Sequence, residues 1–244
     1  MPRFFTDKGS INGNEAVIRG ADAQHISRSL RMRVGEEIVL CDAEGSDMEC
    51  RIVKITDSEV TCEVLRCKES EAEPKVEVVL YQCLPKGDKL ESVVRKATEL
   101  GVSKIVPVLS ARCVSRPDKK AFAKREERLR KIALEAAMQS GRGKIPEISE
   151  MVEFKACVKE AAESDLAIIM YEKSGESFSK VLSGFSGRRI SVIVGSEGGF
   201  EESEAEYAAE NGVQTVNLGK RILRTETAPI CALSVIMYAT GNLE

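Results

Sequence analysis

The chain has 244 residues, 43% of them hydrophobic, and a formal net charge of -3 at pH 7. That length allows one large or two modest domains with a sizeable core, and the negative balance does not by itself point to nucleic acid. Eight cysteines without a C-x-x-C, beside a single histidine, argue against zinc and against a disulfide framework. No apolar run approaches the ~18 residues of a membrane span, and residues 1–7 lack the apolar core of a signal peptide. A soluble cytoplasmic protein with no membrane and no metal partner is expected.

Residues 1–70 read as a small β-rich domain. Val60, Cys62 and Val64 alternate with Thr61 and Glu63, the period of a half-buried strand, and 38–41 and 50–55 are similar runs. Between the first strands lies a short helical stretch, 22–32, with Asp22 as candidate N-cap. Arg3, Arg28, Arg31 and Arg33 give this end a local basic character. His25 falls in the same stretch, where packing or RNA contact is a better reading than general base catalysis.

Residues 71–75 are charged and include Pro74, a linker composition. From 76 to 244 the period changes: strand 76–82, helix 88–100, strand 104–108. In that helix Leu90, Val93, Val94, Ala97 and Leu100 share one face, and Gly101 supplies a stop. Strands alternating with helices imply an α/β fold, a parallel sheet with helices on both faces. Residues 112–131 then carry nine Lys or Arg against three acids. Phe122, Leu129, Ile132, Ala133 and Ala136 still form a core stripe, so an exposed helix with ordinary charge pairs and a phosphate-binding face are both open. Gln139-Ser140-Gly141-Arg142-Gly143-Lys144 ends that helix as a cap and turn. A buried strand, 165–171, leads into a turn over 171–175. The last helix, 229–238, begins with Pro and is apolar almost all round, so it must be covered on several sides.

Two stretches organise this half, Val194-Gly195-Ser196-Glu197-Gly198-Gly199-Phe200 and Leu218-Gly219-Lys220-Arg221-Ile222-Leu223-Arg224-Thr225-Glu226-Thr227-Ala228. Each follows a β-branched run, 190–194 and 213–218, and precedes a helical pattern. Two strand-to-helix turns lying side by side at the carboxyl ends of a sheet make a floor for one small molecule. Glu201, Glu202 and Glu204 disfavour a polyphosphate at the following helix N-terminus. Neither turn fits the P-loop or the dinucleotide fingerprint. An uncharged or locally cationic adenosine-type ligand suits the site better.

These two strings closely resemble the RsmE family of 16S ribosomal RNA uridine N3-methyltransferases, of the SPOUT class. The likeness extends through Lys86-Gly87-Asp88-Lys89, Lys96 to Val102, Gln139-Ser140-Gly141-Arg142 and residues 25–33, nearly the whole chain. Ser196 departs from it, since Pro stands there in many relatives, and should leave the turn more flexible. The resemblance implies a SPOUT-type parallel sheet with a C-terminal trefoil knot, preceded by a PUA-like RNA-binding domain. It also implies S-adenosyl-L-methionine as cofactor, the small ribosomal subunit as partner and a homodimer.

Backbone groups of Leu218, Gly219, Ile222, Leu223 and Ala228 would hold adenine and ribose, facing Gly195, Gly198, Gly199 and Phe200. Tyr171, Val194, Thr225 and Thr227 complete the expected cofactor set. Arg3, His25, Arg28, Arg31, Arg33, Arg112 and Arg142 are the RNA-contact candidates, Arg142 near the mouth of the site. Uracil N3 holds its proton with pKa ~10, so forming the anion costs about 4 kcal/mol at neutral pH. Arg224 is the candidate to stabilise that anion, and Glu197 and Glu226 are candidates for the base or for positioning the ligand. Equally, Arg224 could simply pair with one of these acids, and Thr225 or Thr227 could simply cap the last helix. A SPOUT enzyme of other specificity, a non-catalytic RNA-binding protein and a nicotinamide oxidoreductase are the rival readings.

Overall fold

The computed structural model describes all residues except Asp57, Ser174, Gly175 and Glu244, and the side chain of Lys8. The chain forms two compact units, one of residues 1–73 with 137–145, the other of 74–136 with 146–244.

The first unit holds β1 (Arg3–Phe5), β2 (Ile11–Asn12), β3 (Glu15–Arg19), α1 (Gly20–Gln24), β4 (Glu37–Cys41), β5 (Ser46–Ile55) and β6 (Glu59–Glu69). Its six-stranded sheet has the order β1-β4-β5-β6-β3-β2, antiparallel except for β1 beside β4. The alternating residues Val60 and Cys62 pack with Phe4, Ile26, Ile38, Leu40 and Ile52 in its core. The helical stretch differs from expectation. It starts at Gly20, whose φ of 68° suits glycine, and Arg19 rather than Asp22 occupies the N-cap position. It continues as a π-helical turn, His25–Ser29, and by Arg31 the backbone has φ 53°.

The second unit comprises β7 (Glu77–Cys83), α2 (Lys89–Glu99), β8 (Lys104–Leu109), α3 (Lys119–Ser140), β9 (Glu147–Ile148), β10 (Val152–Glu153), α4 (Phe154–Ala161), β11 (Leu166–Met170), β12 (Glu176–Ser177), α5 (Phe178–Leu182), β13 (Arg189–Val194), α6 (Glu202–Glu210), β14 (Gln214–Asn217) and α7 (Ala228–Ala239). The last residues of α3 belong to the first unit. All its strands pair in parallel, in the order β10-β8-β7-β13-β11-β14-β12 with β9 on β8. Ile190, Val192, Ile193, Ile168 and Ile169 are fully buried, as is Ser191, which accounts for near-continuous apolar runs in strands covered on both faces.

This order corrects one expectation: β13 and β14 are not neighbours, because β11 lies between them. The turn after β11 starts at Tyr171, while its Ser174 and Gly175 lie outside the described residues. Among the described residues, no helix is long and apolar enough to cross a membrane.

Candidate active site

At the carboxyl ends of β11, β13 and β14 lies a cavity of about 280 Å³. The end of β11 supplies Met170, Tyr171 and Glu172; the two glycine-bearing loops supply the walls. Of the expected cofactor set, Tyr171, Val194, Gly195, Gly198, Gly199, Leu218, Gly219, Ile222, Leu223, Thr225 and Ala228 all line it. Phe200 and Thr227 do not. Phe200 is fully buried against Phe154, ring centroids 5.7 Å apart, and supports the wall from behind. Thr227 is exposed at the N-cap position of α7 and makes no side-chain cap bond there. Met170, Glu172, Ser196, Asn217 and Arg221 also line the cavity. Ser196 and Arg221 stand within the two motif strings without having been assigned to the ligand, whereas Met170, Glu172 and Asn217 lie outside them; a strand order placing β11 between the two loops would have pointed to Met170 and Glu172.

The loop after β14 reaches across the end of β11 to touch the loop after β13. Thr225 is 5% exposed, and its hydroxyl donates to the Gly195 carbonyl at 2.8 Å while accepting from Gln82 Nε2 at 3.2 Å. Gln82 Nε2 also faces the carbonyls of Cys83 and Gly195, at 3.0 and 3.3 Å. Thr225 is therefore a cross-link between the loops and not a helix cap. Ser196 is likewise tied down: its hydroxyl donates to the Arg112 carbonyl at 3.3 Å, and its own carbonyl accepts from Gly199 N at 3.0 Å. Arg112 in turn donates to the Gly198 carbonyl at 3.1 Å. Glycine is needed at 198, where a Cβ would stand 2.9 Å from the Arg112 Cβ, and at 199, where φ is +64°. Of the acids that open α6, Glu204 accepts from Ala111 N at 2.8 Å and Glu201 N at 3.0 Å.

The charges at the rim are arranged by a residue that no sequence signal had singled out for a role. Lys89, first in α2, puts its Nζ 2.6 Å from Glu197 and 3.8 Å from Glu226. The Lys86 amide also donates to Glu197. Burial pushes the Glu197 carboxyl up, but its hydrogen bonds, that from Lys89 foremost, outweigh this and hold it below the usual range. Glu226 Oε2 is buried without a hydrogen-bond partner among the described residues. Arg224 is exposed, and among the described residues its side chain forms no hydrogen bond or ion pair. Its carbonyl accepts from Thr227 N and Ala228 N at 2.8 and 2.9 Å, which fixes the backbone at the start of α7.

Apart from Arg112, exposed and bonded to the Gly198 carbonyl, the RNA-contact candidates separate into two groups. His25, Arg28, Arg31 and Arg33 are exposed on the first unit. Arg3 and Arg142 are not available in the same way. Arg3 forms a fork with Asp47, 2.6 and 2.8 Å. Arg142, expected near the mouth of the site, is 3% exposed and part of the first unit, where it pairs with Glu73 at 2.8 Å. The Glu73 carboxylate also accepts from Gly143 N and Lys144 N. In the basic segment Arg116 and Arg125 donate to backbone carbonyls of Ser110 and Gly87, and Arg128 and Arg130 pair with Glu91 and Glu126. Lys119, Lys120, Lys124 and Lys131 are exposed.

Fold and pocket thus define a parallel α/β protein with a small-molecule site walled by backbone and bordered by cations. Residues 72–237 match the model of the RNA methyltransferase domain, and 18–70 that of the RNA methyltransferase PUA domain. A ribosomal RNA small subunit methyltransferase E of Bacillus subtilis is 35% identical over all of this chain and 98% of its own, and one of Aquifex aeolicus 32% over 97% and 99%. A crystal structure of such a protein from Neisseria gonorrhoeae, bound to S-adenosyl methionine, superposes with TM-score 0.88 at 32% identity, covering 98% of this chain and 97% of that one. The chain belongs to the ribosomal RNA small subunit methyltransferase E family.

Proposed function

We propose that the protein transfers a methyl group from S-adenosyl-L-methionine to N3 of a uridine in 16S rRNA of the small ribosomal subunit, as a cytoplasmic homodimer. The observation that carries this reading is Arg224. It stands between two pocket-lining residues, Leu223 and Thr225, with its guanidinium exposed and the neighbouring acids engaged by Lys89. A permanently charged group at that rim lowers the cost, about 4 kcal/mol, of removing the imide proton.

The pocket fits the cofactor. Glycines 195, 198, 199 and 219 let a ligand approach the backbone, and Val194, Ile222 and Leu223 offer apolar surface to a purine. When bound, the sulfonium supplies an activated methyl group. The chain's own contribution is to hold donor and uracil in line, exclude water and stabilise the uracil oxygen that gains charge. Glu197 and Glu226, both facing Lys89, act in this reading as positioning groups, the imide proton leaving to solvent.

Substrate RNA would lie on the exposed cations of 1–70 and of α3, with the uridine unstacked so that its pairing edge is open. Each neutralised phosphate steepens the salt dependence, and the excess of six charges in 112–131 corresponds to a slope of roughly -4 to -5 in log affinity. The return of the 218–228 loop onto Gly195 fits a knotted C-terminal segment. Tyr238, 71% exposed on the apolar α7, fits a dimer contact.

The test is to incubate the protein with labelled S-adenosylmethionine and small subunits lacking base methylation, then identify the nucleoside by mass spectrometry. N3-methyluridine at one position, lost in Arg224→Ala, is expected. A different methylated product would overturn the base assignment, and failure to bind cofactor would favour a non-catalytic RNA-binding protein.

A further inference from the structure

Two carboxylates and a guanidinium within one small rim normally find each other, since arginine–carboxylate pairs are among the strongest charge-assisted hydrogen bonds. Here they do not. Glu197 comes from the loop after β13, and Glu226 stands two positions beyond Arg224 in the loop after β14. Both acids turn instead to Lys89, at 2.6 and 3.8 Å. Lys89 comes from a third element, the start of α2, and the preceding turn adds the Lys86 amide to the same Glu197 carboxylate, at 3.2 and 3.4 Å. Arg224 lies close enough to Lys89 for its charge to be felt there, yet it remains exposed and unpaired among the described residues.

We propose that Lys89 is a positioning residue for the methyl transfer: by engaging Glu197 and Glu226 it keeps the Arg224 guanidinium free to meet the uracil. This rests on the function proposed above and adds a residue to it. The physical reason is competition. Without the ammonium, two acids share a rim with one cation, and pairing with either draws the guanidinium away from the substrate. An ammonium suits the task because it is a compact charge with three donors that can face two acids at once. With Glu197 at 29% and Lys89 at 35% side-chain exposure, the pair lies at the surface, so its effect is one of placement and adds little to global stability.

The test compares wild type, K89M, K89R and the triple variant K89M/E197Q/E226Q, with cofactor affinity by calorimetry, folding by thermal melting, and kcat and KM for methyl transfer to undermethylated small subunits. K89M should lower kcat about 10²-fold, the usual consequence of a misplaced reacting group, with cofactor Kd within about twofold of wild type. K89R should recover most of the loss. The triple variant should regain at least about tenfold over K89M, because no acid is left to capture Arg224. Equal kcat for K89M and wild type, a parallel loss of cofactor affinity, or a triple variant no better than K89M would each overturn the inference. An inactive wild type would instead sink the functional reading on which it rests.

Discussion

Replacing Thr225 by valine removes one oxygen from the junction of the two pocket loops and keeps the side-chain shape. The hydroxyl donates at 2.8 Å to Gly195 and accepts at 3.2 Å from Gln82, in surroundings that leave the residue 5% exposed. A buried hydrogen bond contributes roughly 1 kcal/mol, and a buried acceptor left unmatched costs ~1–3 kcal/mol. The Gly195 carbonyl keeps a longer bond from Gln82 Nε2 at 3.3 Å, and that amide keeps the Cys83 carbonyl at 3.0 Å, so the low end applies. The net expectation is about 1.5–2 kcal/mol.

Equilibrium urea unfolding should show that loss at pH 7. If the bond also holds the loops in the binding geometry, calorimetry should show S-adenosylmethionine bound roughly tenfold more weakly, since 1.4 kcal/mol is one decade. Thr225→Ser, which retains the hydroxyl, separates the bond from the methyl group and should keep the affinity. Unchanged unfolding and unchanged affinity in Thr225→Val would refute the view that this hydroxyl joins the two loops.

Gly198→Ala places a Cβ 2.9 Å from the Arg112 Cβ and 3.2 Å from its carbonyl oxygen; overpacking of this kind costs ~1–3 kcal/mol, and calorimetry should find weaker cofactor binding. Arg142→Met leaves the Glu73 carboxylate, 14% exposed, with the backbone donors Gly143 N and Lys144 N among the described residues. It should destabilise the protein by about 3 kcal/mol in urea, and E73Q/R142M should recover part of that. For Glu197 the folded carboxyl lies below its usual 4.5, so the pair with Lys89 contributes fully above that pH and is lost as the pH falls through the folded value. Melting curves of wild type and Glu197→Gln should therefore differ near neutrality by no more than ~1 kcal/mol and converge in acid.

The parts of this fold legible in the sequence are those with a strong local cause. Ile190 to Val194 reads as a strand covered on both faces because four of its five residues are apolar and leave no side for water, Ser191 being buried with them, and the face from Leu90 to Ala97 could only be a helix turned to a core. Gly101 ends that helix with φ +89°, its following residue bonding back to Ala97, as its position after the apolar face implies. What the sequence conceals is set by partners far along the chain. Arg142 looks like any surface cation until Glu73, brought from the linker, closes on it; Lys89 looks like a routine helix start until Glu197 and Glu226 meet it. Strand order is equally hidden, because periodicity says which residues face a core and nothing about which strand stands next to which. Thus the pocket walls and Tyr171 at the end of β11 were readable, whereas the place of β11 between the two loops and the charge arrangement at the rim were not.

The discontinuous first unit also bears on how the protein is made. Its sheet ends at Glu69, yet Glu73 reaches its arginine only when residues 137–145 have been synthesised. With roughly 60 residues between them, translation at ~5–20 residues per second separates the two by about 3–12 s. During that interval the nascent Glu73 lacks Arg142, and the segment now emerging includes the most basic stretch of the chain, 112–131. Completion of the N-terminal unit is thereby tied to synthesis of α3, and a gene fragment ending at residue 73 would encode a unit permanently missing its closing segment.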